Sequence, residues 1–206
     1  MKVSVNPIYY TKTEDAIMTS ELLPEIVVFA GPNGSGKSTV TRFAKIIPPY
    51  INADDIKTST NTTDIEAAEL AEKLREDALE NNIGFTFETV LSTDRNLKLL
   101  ERAKLNNYFI RIIYVLTQDP MINVARVRTR TLNGGHDVPR EKILSRYEKA
   151  LKLIPKLVEV ADIMHIYDNT NTPFRIFKKR KTEMFYWETN YWTKSKISSL
   201  VGIDFK

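Results

Sequence analysis

Residues 31–38 read Gly-Pro-Asn-Gly-Ser-Gly-Lys-Ser, a complete G-x-x-x-x-G-K-[ST] run. It follows EIVVFA (25–30), a short apolar, β-branched segment that reads as a buried strand. After it, residues 39–47 carry helical spacing at Val40, Phe43, Ala44 and Ile47, and Pro48-Pro49 stops the run. Strand, loop and helix in that order place successive backbone N–H groups and a helix N-terminus around one anion. Gly31, Pro32, Asn33, Gly34, Ser35, Gly36, Lys37 and Ser38, with Thr39 beside them, are therefore expected to hold a nucleoside triphosphate. Lys37 would neutralise the β- and γ-phosphates, and the Ser38 hydroxyl would hold Mg²⁺. Gly134-Gly135 marks a second conformationally special loop.

Composition narrows the rest. A chain of 206 residues suits one ordinary domain, and 42% apolar with 27% charged residues excludes disordered and fibrous classes. The best apolar stretch, 109–116, is short and interrupted by Arg111, so no membrane span is expected. The N-terminus lacks the apolar core of a secretory signal, and the absence of cysteine excludes disulfides and thiolate chemistry. Both fit a cytoplasmic protein. A net charge of +4 suits an anionic ligand without arguing for nucleic acid.

Strands and helices alternate from residue 25 onward. Residues 50–53 read as a second strand delivering Asp54 and Asp55 at its end. Thr63 and Glu66 form a capping box for a helix to about Asn82, and FTFETV (85–90) is the third strand. Ser92 or Thr93 caps a helix to about Leu105, and residues 108–116 form a strand. Asp119-Pro120 starts a helix ending near Gly134, and Pro139 starts one reaching about Val160. Residues 161–168 give a fifth strand. The expected fold is α/β, a three-layer domain with a central, mostly parallel five-stranded sheet. Its expected extent is 25–170, behind a polar leader (1–24, partly helical near 14–23) of no assigned role. Residues 171–206 are expected to pack on the same domain as a strand pair or an aromatic cover, with KKRK (178–181) as a solvated turn or strand end.

Phosphoryl transfer needs a group to orient or deprotonate the acceptor, and residues just past parallel strand ends crowd around such a site. Asp54 and Asp55 after the second strand, and Glu88-Thr89 at the end of the third, supply carboxylates there. A solvated turn and an N-cap are the purely local alternatives. Arg126 and Arg130 stand four apart on one helical face and can reach one phosphate, whereas Arg128 points elsewhere. Arg140 and Arg146 follow the Gly134-Gly135-His136 hinge. Helix, glycine hinge and helix describe a closing lid, or else a plain charged hairpin.

GPNGSGKST (31–39), NADDI (52–56), FTFETVLS (85–92) and the run from Arg126 to Leu151 together resemble the zeta-toxin-like P-loop kinases, specifically their chromosomal short-form branch. The resemblance implies a P-loop kinase-like fold with a mobile helical lid, ATP or GTP with Mg²⁺, and phosphorylation of a small hydroxylated acceptor such as UDP-N-acetylglucosamine, with an antitoxin protein as partner. It implies Asp54 as general base on the acceptor hydroxyl and Glu88 as the acidic residue of the third strand, with Thr89 and His136 on the substrate side. Arg126, Arg130 and Arg146 fall where lid arginines contact the triphosphate. His136 is expected in lid closure or in a local loop role, and His165, alternating with Ile163 and Tyr167, in packing. No partner histidine stands at ligand spacing, so no transition-metal site is expected. A polynucleotide-kinase-like enzyme and a non-catalytic nucleotide switch are the competing functions.

Overall fold

The computed structural model describes residues 23–205 except Phe43 and Lys45. The leader helix expected near residues 14–23 lies almost wholly outside them, as does the Phe43 position of the helix after the phosphate loop. Parallel strands β1 (Glu25–Ala30), β2 (Tyr50–Ile51), β3 (Phe85–Thr89), β4 (Phe109–Leu116) and β5 (Ile163–Asp168) continue into antiparallel β6 (Phe174–Arg180) and β7 (Glu183–Tyr186). The order is β2-β3-β1-β4-β5-β6-β7, so the sheet has seven strands rather than the five expected. The five parallel strands are the anticipated ones. The tail adds the other two because Ile176 and Phe177 bury fully against the same core.

Alternation along the strands divides the sheet into two faces. Ile26, Val28, Phe85, Phe87, Ile110 and Ile112 point to the larger core. That core is closed by α3 (Asp64–Glu80), α4 (Arg95–Leu105), α7 (Ile154–Val160) and α8 (Lys194–Val201). Val27, Phe29, Ile113 and Val115 point to the other face and meet Val40, Ala44 and Ile47, which follow the loop. The single donor of the buried Tyr108 hydroxyl lies within reach of the carbonyls of Ala78, Leu79 and Ile83, at 3.1, 3.4 and 3.2 Å, and ties the end of α3 to the start of β4.

Several boundaries differ from the periodicity. Helix α1 is only Lys37–Thr41, although Val40, Ala44 and Ile47 still pack together. Asp54 and Asp55 sit in the first turn of α2 (Ala53–Thr60), capped by Asn52, whose side-chain oxygen accepts from the Asp54 N–H at 2.9 Å. Asp94, not Ser92 or Thr93, is the N-cap of α4. Helix α5 (Pro120–Leu132) starts at Asp119-Pro120 as expected, but the following helix breaks at Leu153 into α6 (Arg140–Lys152) and α7, because Pro155 cannot continue the helical hydrogen bonds. Within KKRK, Lys179 is 9% exposed, and its ammonium donates to the Val158 and Glu159 carbonyls. Burial lowers its pKa. Only Arg180 and Lys181 of the run form the exposed end.

His165 lies half-buried on β5, stacked on Tyr167 and 3.3 Å from the Arg175 guanidinium. Burial, then Arg175, Lys178 and Arg111, hold its pKa down to about 4. The folded state keeps it neutral while an unfolded chain protonates near pH 6.5. The unfolded state therefore binds more protons between those values, and stability falls as pH drops from about 6.5 toward 4. Melting curves across that window should show the slope, and His165→Phe should flatten it. An unchanged slope would mean that the imidazole does not titrate differently in the two states.

Candidate active site

The loop leaves β1 and is held from behind by two buried asparagines. Asn123 of α5 donates to the Asn33 carbonyl at 2.8 Å and receives the Thr117 hydroxyl at 2.5 Å. Asn169, just past β5, donates to the Ser35 carbonyl at 2.8 Å. The Gly31 N–H donates to Thr89 at the end of β3. With the carbonyls of residues 33 and 35 engaged in this way, the loop's free donors belong to the ligand side. Glycine is required at two of these approaches. A Cβ on Gly34 would lie 2.5 Å from the Asn123 carbonyl oxygen, and one on Gly36 would lie 2.1 Å from the Asn169 amide, and both positions have left-handed φ.

In front of the loop lies an open cleft of about 1180 Å³. A usual single small-molecule site is roughly 300–1,000 Å³, so the cleft has room for two reactants. Asn33, Gly34, Gly36, Lys37 and Ser38 line it, together with Asp54, Glu88, Thr89, Arg126, Arg130, Arg146 and His136. Gly31, Pro32 and Ser35 are buried behind the lining, and Thr39 is not on the cleft wall. The acceptor and lid residues proposed from the sequence thus line one cleft, joined by Asp55, except Arg140, which lies off it against Met121.

The Lys37 ammonium donates to the Gly31 carbonyl at 2.9 Å, across the mouth of its own loop. Burial lowers its pKa, opposed by the Glu88 and Asp54 carboxylates. A cation between two carboxylates and a ring of N–H donors is where a polyphosphate's charge would be taken up. The phenol of Tyr50 is pushed above its ordinary value by burial first and by Glu88 second, so it stays protonated beside that carboxylate. Thr89 serves locally as well: its hydroxyl accepts from the Leu91 N–H and the Asn96 amide, fixing the turn between β3 and α4.

On the opposite wall, α5 and α6 form a hairpin around a small core of their own, Val127, Val138 and Ile143. That separate core lets the hairpin move as one body. Arg126 donates to the Thr170 carbonyl at 2.9 Å, and its other terminal nitrogen is buried without a partner. Arg130 donates to the His136 carbonyl, which folds the hinge loop over the helix end. The His136 ring reaches to 3.9 Å from Asp64 of α3, across the cleft. Arg146 approaches the Asn33 side chain at 3.4 Å. Arg128 is exposed and off the cleft, as expected.

A family model described as Zeta toxin matches residues 41–182. The chain belongs to the zeta toxin family. Like that family it is a phosphotransferase on a P-loop kinase fold, and its phosphate loop stands just before the matched residues. An uncharacterized protein of Haemophilus influenzae is 31% identical over 127 residues, covering 59% of this chain and 91% of that one. The toxin of the PezAT chromosomal toxin-antitoxin system from Streptococcus pneumoniae superposes with a TM-score of 0.55 at 17% identity, over 86% of this chain and 84% of that chain. The AvrRxo1-ORF1:AvrRxo1-ORF2 complex with ATP gives a TM-score of 0.65 at 12% identity, over 89% of this chain and 64% of the other. At such identities these two likenesses speak for the fold.

For this zeta toxin family chain, the sequence left Asn123, Asn169 and Arg75 unread. Asn123 lies within the lid helix and Asn169 past the last parallel strand, each remote from the loop it holds. Arg75 lines the cleft and shares the buried face of α3 with Ala67, Ala71 and Ala78. That spacing was the available signal. Among the described residues no cluster of three or more His, Cys, Asp or Glu could hold a metal. A nucleotide-borne Mg²⁺ asks for less, since it keeps several waters and takes few protein oxygens. The exposed Ser38 hydroxyl on the cleft wall fits that demand.

Lys37→Ala should abolish binding of a slowly hydrolysed ATP analogue with Mg²⁺ by calorimetry, and wild-type affinity would refute the assignment of the loop. Asn169→Ala leaves the Ser35 carbonyl unpaired at a cost of about 1–3 kcal/mol. It should weaken the same binding about tenfold. Full affinity there would mean that the loop holds its shape without the asparagine.

Proposed function

We propose that this phosphotransferase moves the γ-phosphoryl group of ATP or GTP to a hydroxyl of a small polar acceptor, with a nucleotide sugar such as UDP-N-acetylglucosamine as the leading acceptor. The observation that carries this is the meeting of the phosphate loop, Asp54 and Glu88, and the hairpin arginines on one cleft large enough for two reactants. In this reading the loop N–H groups and Lys37 hold the β- and γ-phosphates. Ser38 would hold Mg²⁺ through its hydroxyl oxygen, and the bound ion would supply neutralisation of the phosphate charge.

Asp54, exposed on the first turn of α2, is the general base. Its backbone is fixed by the Asn52 cap, so its carboxylate projects from a rigid helix end. It accepts the acceptor's hydroxyl proton as the oxygen attacks the γ-phosphorus. The bond from that phosphorus to the bridging oxygen breaks, and the nucleoside diphosphate leaves. Glu88 and Thr89 orient the acceptor from the end of β3. Arg126, Arg130 and Arg146 stabilise charge on the transferring group, with His136 closing the hinge over it. Enclosure by the hairpin keeps water from competing for the phosphoryl group. A protein antitoxin is the partner that membership implies for a chain with this activity.

Coupled release of ADP, measured over nucleotide sugars, nucleosides, dinucleotides and oligonucleotides with mass detection of the product, tests the reading. One small molecule should gain a phosphoryl group. Asp54→Asn should lower that turnover by roughly 10²–10⁴ with ATP affinity nearly unchanged. Stimulation by oligonucleotides alone would transfer the assignment to a polynucleotide kinase, and tight ATP binding without turnover would leave a nucleotide switch. Arg126→Ala and Arg130→Ala should cost rate more than ground-state ATP binding. If each changes only the melting temperature, the hairpin is a charged scaffold.

A further inference from the structure

The basic run at 178–181 and the aromatic residues that follow it take no part in the proposed transfer, and the fold lays members of both on one face of the sheet. Strand register sets that face out in rows, on the side of Val27 and Phe29. One row runs Ile113, His165, Lys178, Phe185. The next runs Val115, Tyr167, Arg175, and the Trp187 ring completes it, 4.5 Å from the Arg175 guanidinium carbon. The Lys178 ammonium lies 5.6 Å from the centre of the Phe185 ring. Val40, Ala44 and Ile47 cover this face only as far as Tyr167, while α7 and α8 pack on the opposite face with Met164, Ile166, Ile176 and Phe177. Phe185 is accordingly 45% exposed. Rings and cations thus stand side by side on a sheet surface that is separate from the catalytic cleft.

The surface is short of anions. Arg111 at its β4 border is matched by Glu25 at 2.6 Å, and Arg180 stands across from Glu183 in the β6–β7 register. Arg175 and Lys178 make no ion pair among the described residues, and the Arg175 Nε is buried without a hydrogen-bond partner. Their charge is felt at His165, whose pKa is held down to about 4 by burial and then by Arg175, Lys178 and Arg111. Residues 1–22 are a poor counterweight, with Lys2 and Lys12 set against Glu14, Asp15 and Glu21. An acidic polypeptide would bring carboxylates for the cations and nothing for the rings. A single-stranded polynucleotide brings both in every unit, a base for an aromatic face and a phosphate for a cation. Four strands at about 4.8 Å spacing make the surface roughly 14 Å wide, enough for two or three stacked bases. Among the described residues β7 is the outermost strand, so its outward backbone N–H and C=O groups lie beside Phe185 within reach of a 2′-hydroxyl.

We propose that this face of β5, β6 and β7 binds single-stranded RNA, with bases stacked on Tyr167, Phe185 and Trp187 and phosphates held by Arg175 and Lys178. The RNA is bound there without being phosphorylated, because the face lies outside the cleft that holds the phosphate loop.

Fluorescence anisotropy of a labelled octa-adenylate RNA tests this, titrated with the full chain saturated with a non-hydrolysable ATP analogue and Mg²⁺ so that the phosphate loop is occupied. Wild type should bind the RNA. Phe185→Ala should weaken binding by about fivefold or more, the loss of one stacked base. Lys178→Gln should weaken it and reduce the slope of log affinity against log salt by roughly 0.7, the share of one phosphate on a single strand. Lys98→Gln, which removes an exposed cation on α4, should leave RNA binding unchanged. All three variants should bind the ATP analogue as wild type does. In wild type the RNA should raise the pH at which His165 titrates, followed by NMR, because a phosphate beside it favours the imidazolium. The deoxy oligomer and an RNA duplex should bind more weakly, and poly-glutamate should not compete. No RNA binding by wild type, as when residues 1–22 cover the face, would overturn the proposal. Equal affinity in wild type, Phe185→Ala and Lys178→Gln would also overturn it, as would equal binding of the deoxy oligomer. Displacement by poly-glutamate would overturn it in favour of an acidic protein.

Discussion

Two buried amides, Asn123 and Asn169, each give a hydrogen bond to a carbonyl of the phosphate loop, and the chemistry of the cleft depends on that pair of contacts. A loop of this kind works only if its carbonyls face the protein and its N–H groups face the ligand. The amides enforce the first half of that condition from two different elements, α5 and the end of β5. One of them belongs to the hairpin that carries Arg126 and Arg130, so the loop and the lid are joined at Asn33. Movement of the hairpin is therefore felt by the loop directly, through a hydrogen bond rather than through the distant core.

The sheet makes the rest possible. Five parallel strands bring their carboxyl ends to one edge, and the loop after β1, Asp54 after β2 and Glu88-Thr89 at the end of β3 all arise there. Parallel pairing requires crossovers, which supply α1, α3 and α4 as walls of the same cleft. The antiparallel pair β6 and β7 extends the sheet on the far side from β2 and leaves that edge undisturbed.

Signals in the sequence are legible where the physics is local. The Thr63–Glu66 capping box is present with both of its bonds, and Asp119 caps α5 with Pro120 in its first turn. The strand at Phe109–Leu116 follows from an apolar run too dense for anything but a buried strand. Long-range pairing was not legible. A strand pair in the tail is one of the two forms its composition allows, but nothing near Phe174 announces that it will run antiparallel beside β5, and Pro155 breaks a helix whose apolar spacing runs straight through it. The cleft was half legible. The loop, Asp54, Glu88 and the arginines have recognisable spacing, whereas Asn123, Asn169 and Arg75 act on partners far away in sequence and look like ordinary polar residues until the fold is known.

A crystal structure with ADP, aluminium fluoride, Mg²⁺ and UDP-N-acetylglucosamine tests whether one cleft holds the triphosphate on the loop and the acceptor hydroxyl on Asp54. The β-phosphate should lie within the N–H groups of residues 33–38, the fluoride group under the hairpin arginines, and an acceptor hydroxyl about 3 Å from the Asp54 carboxylate and in line with the leaving oxygen. An ADP–fluoride group bound away from the loop, or an acceptor whose hydroxyl faces another residue with Asp54 in solvent, would contradict it.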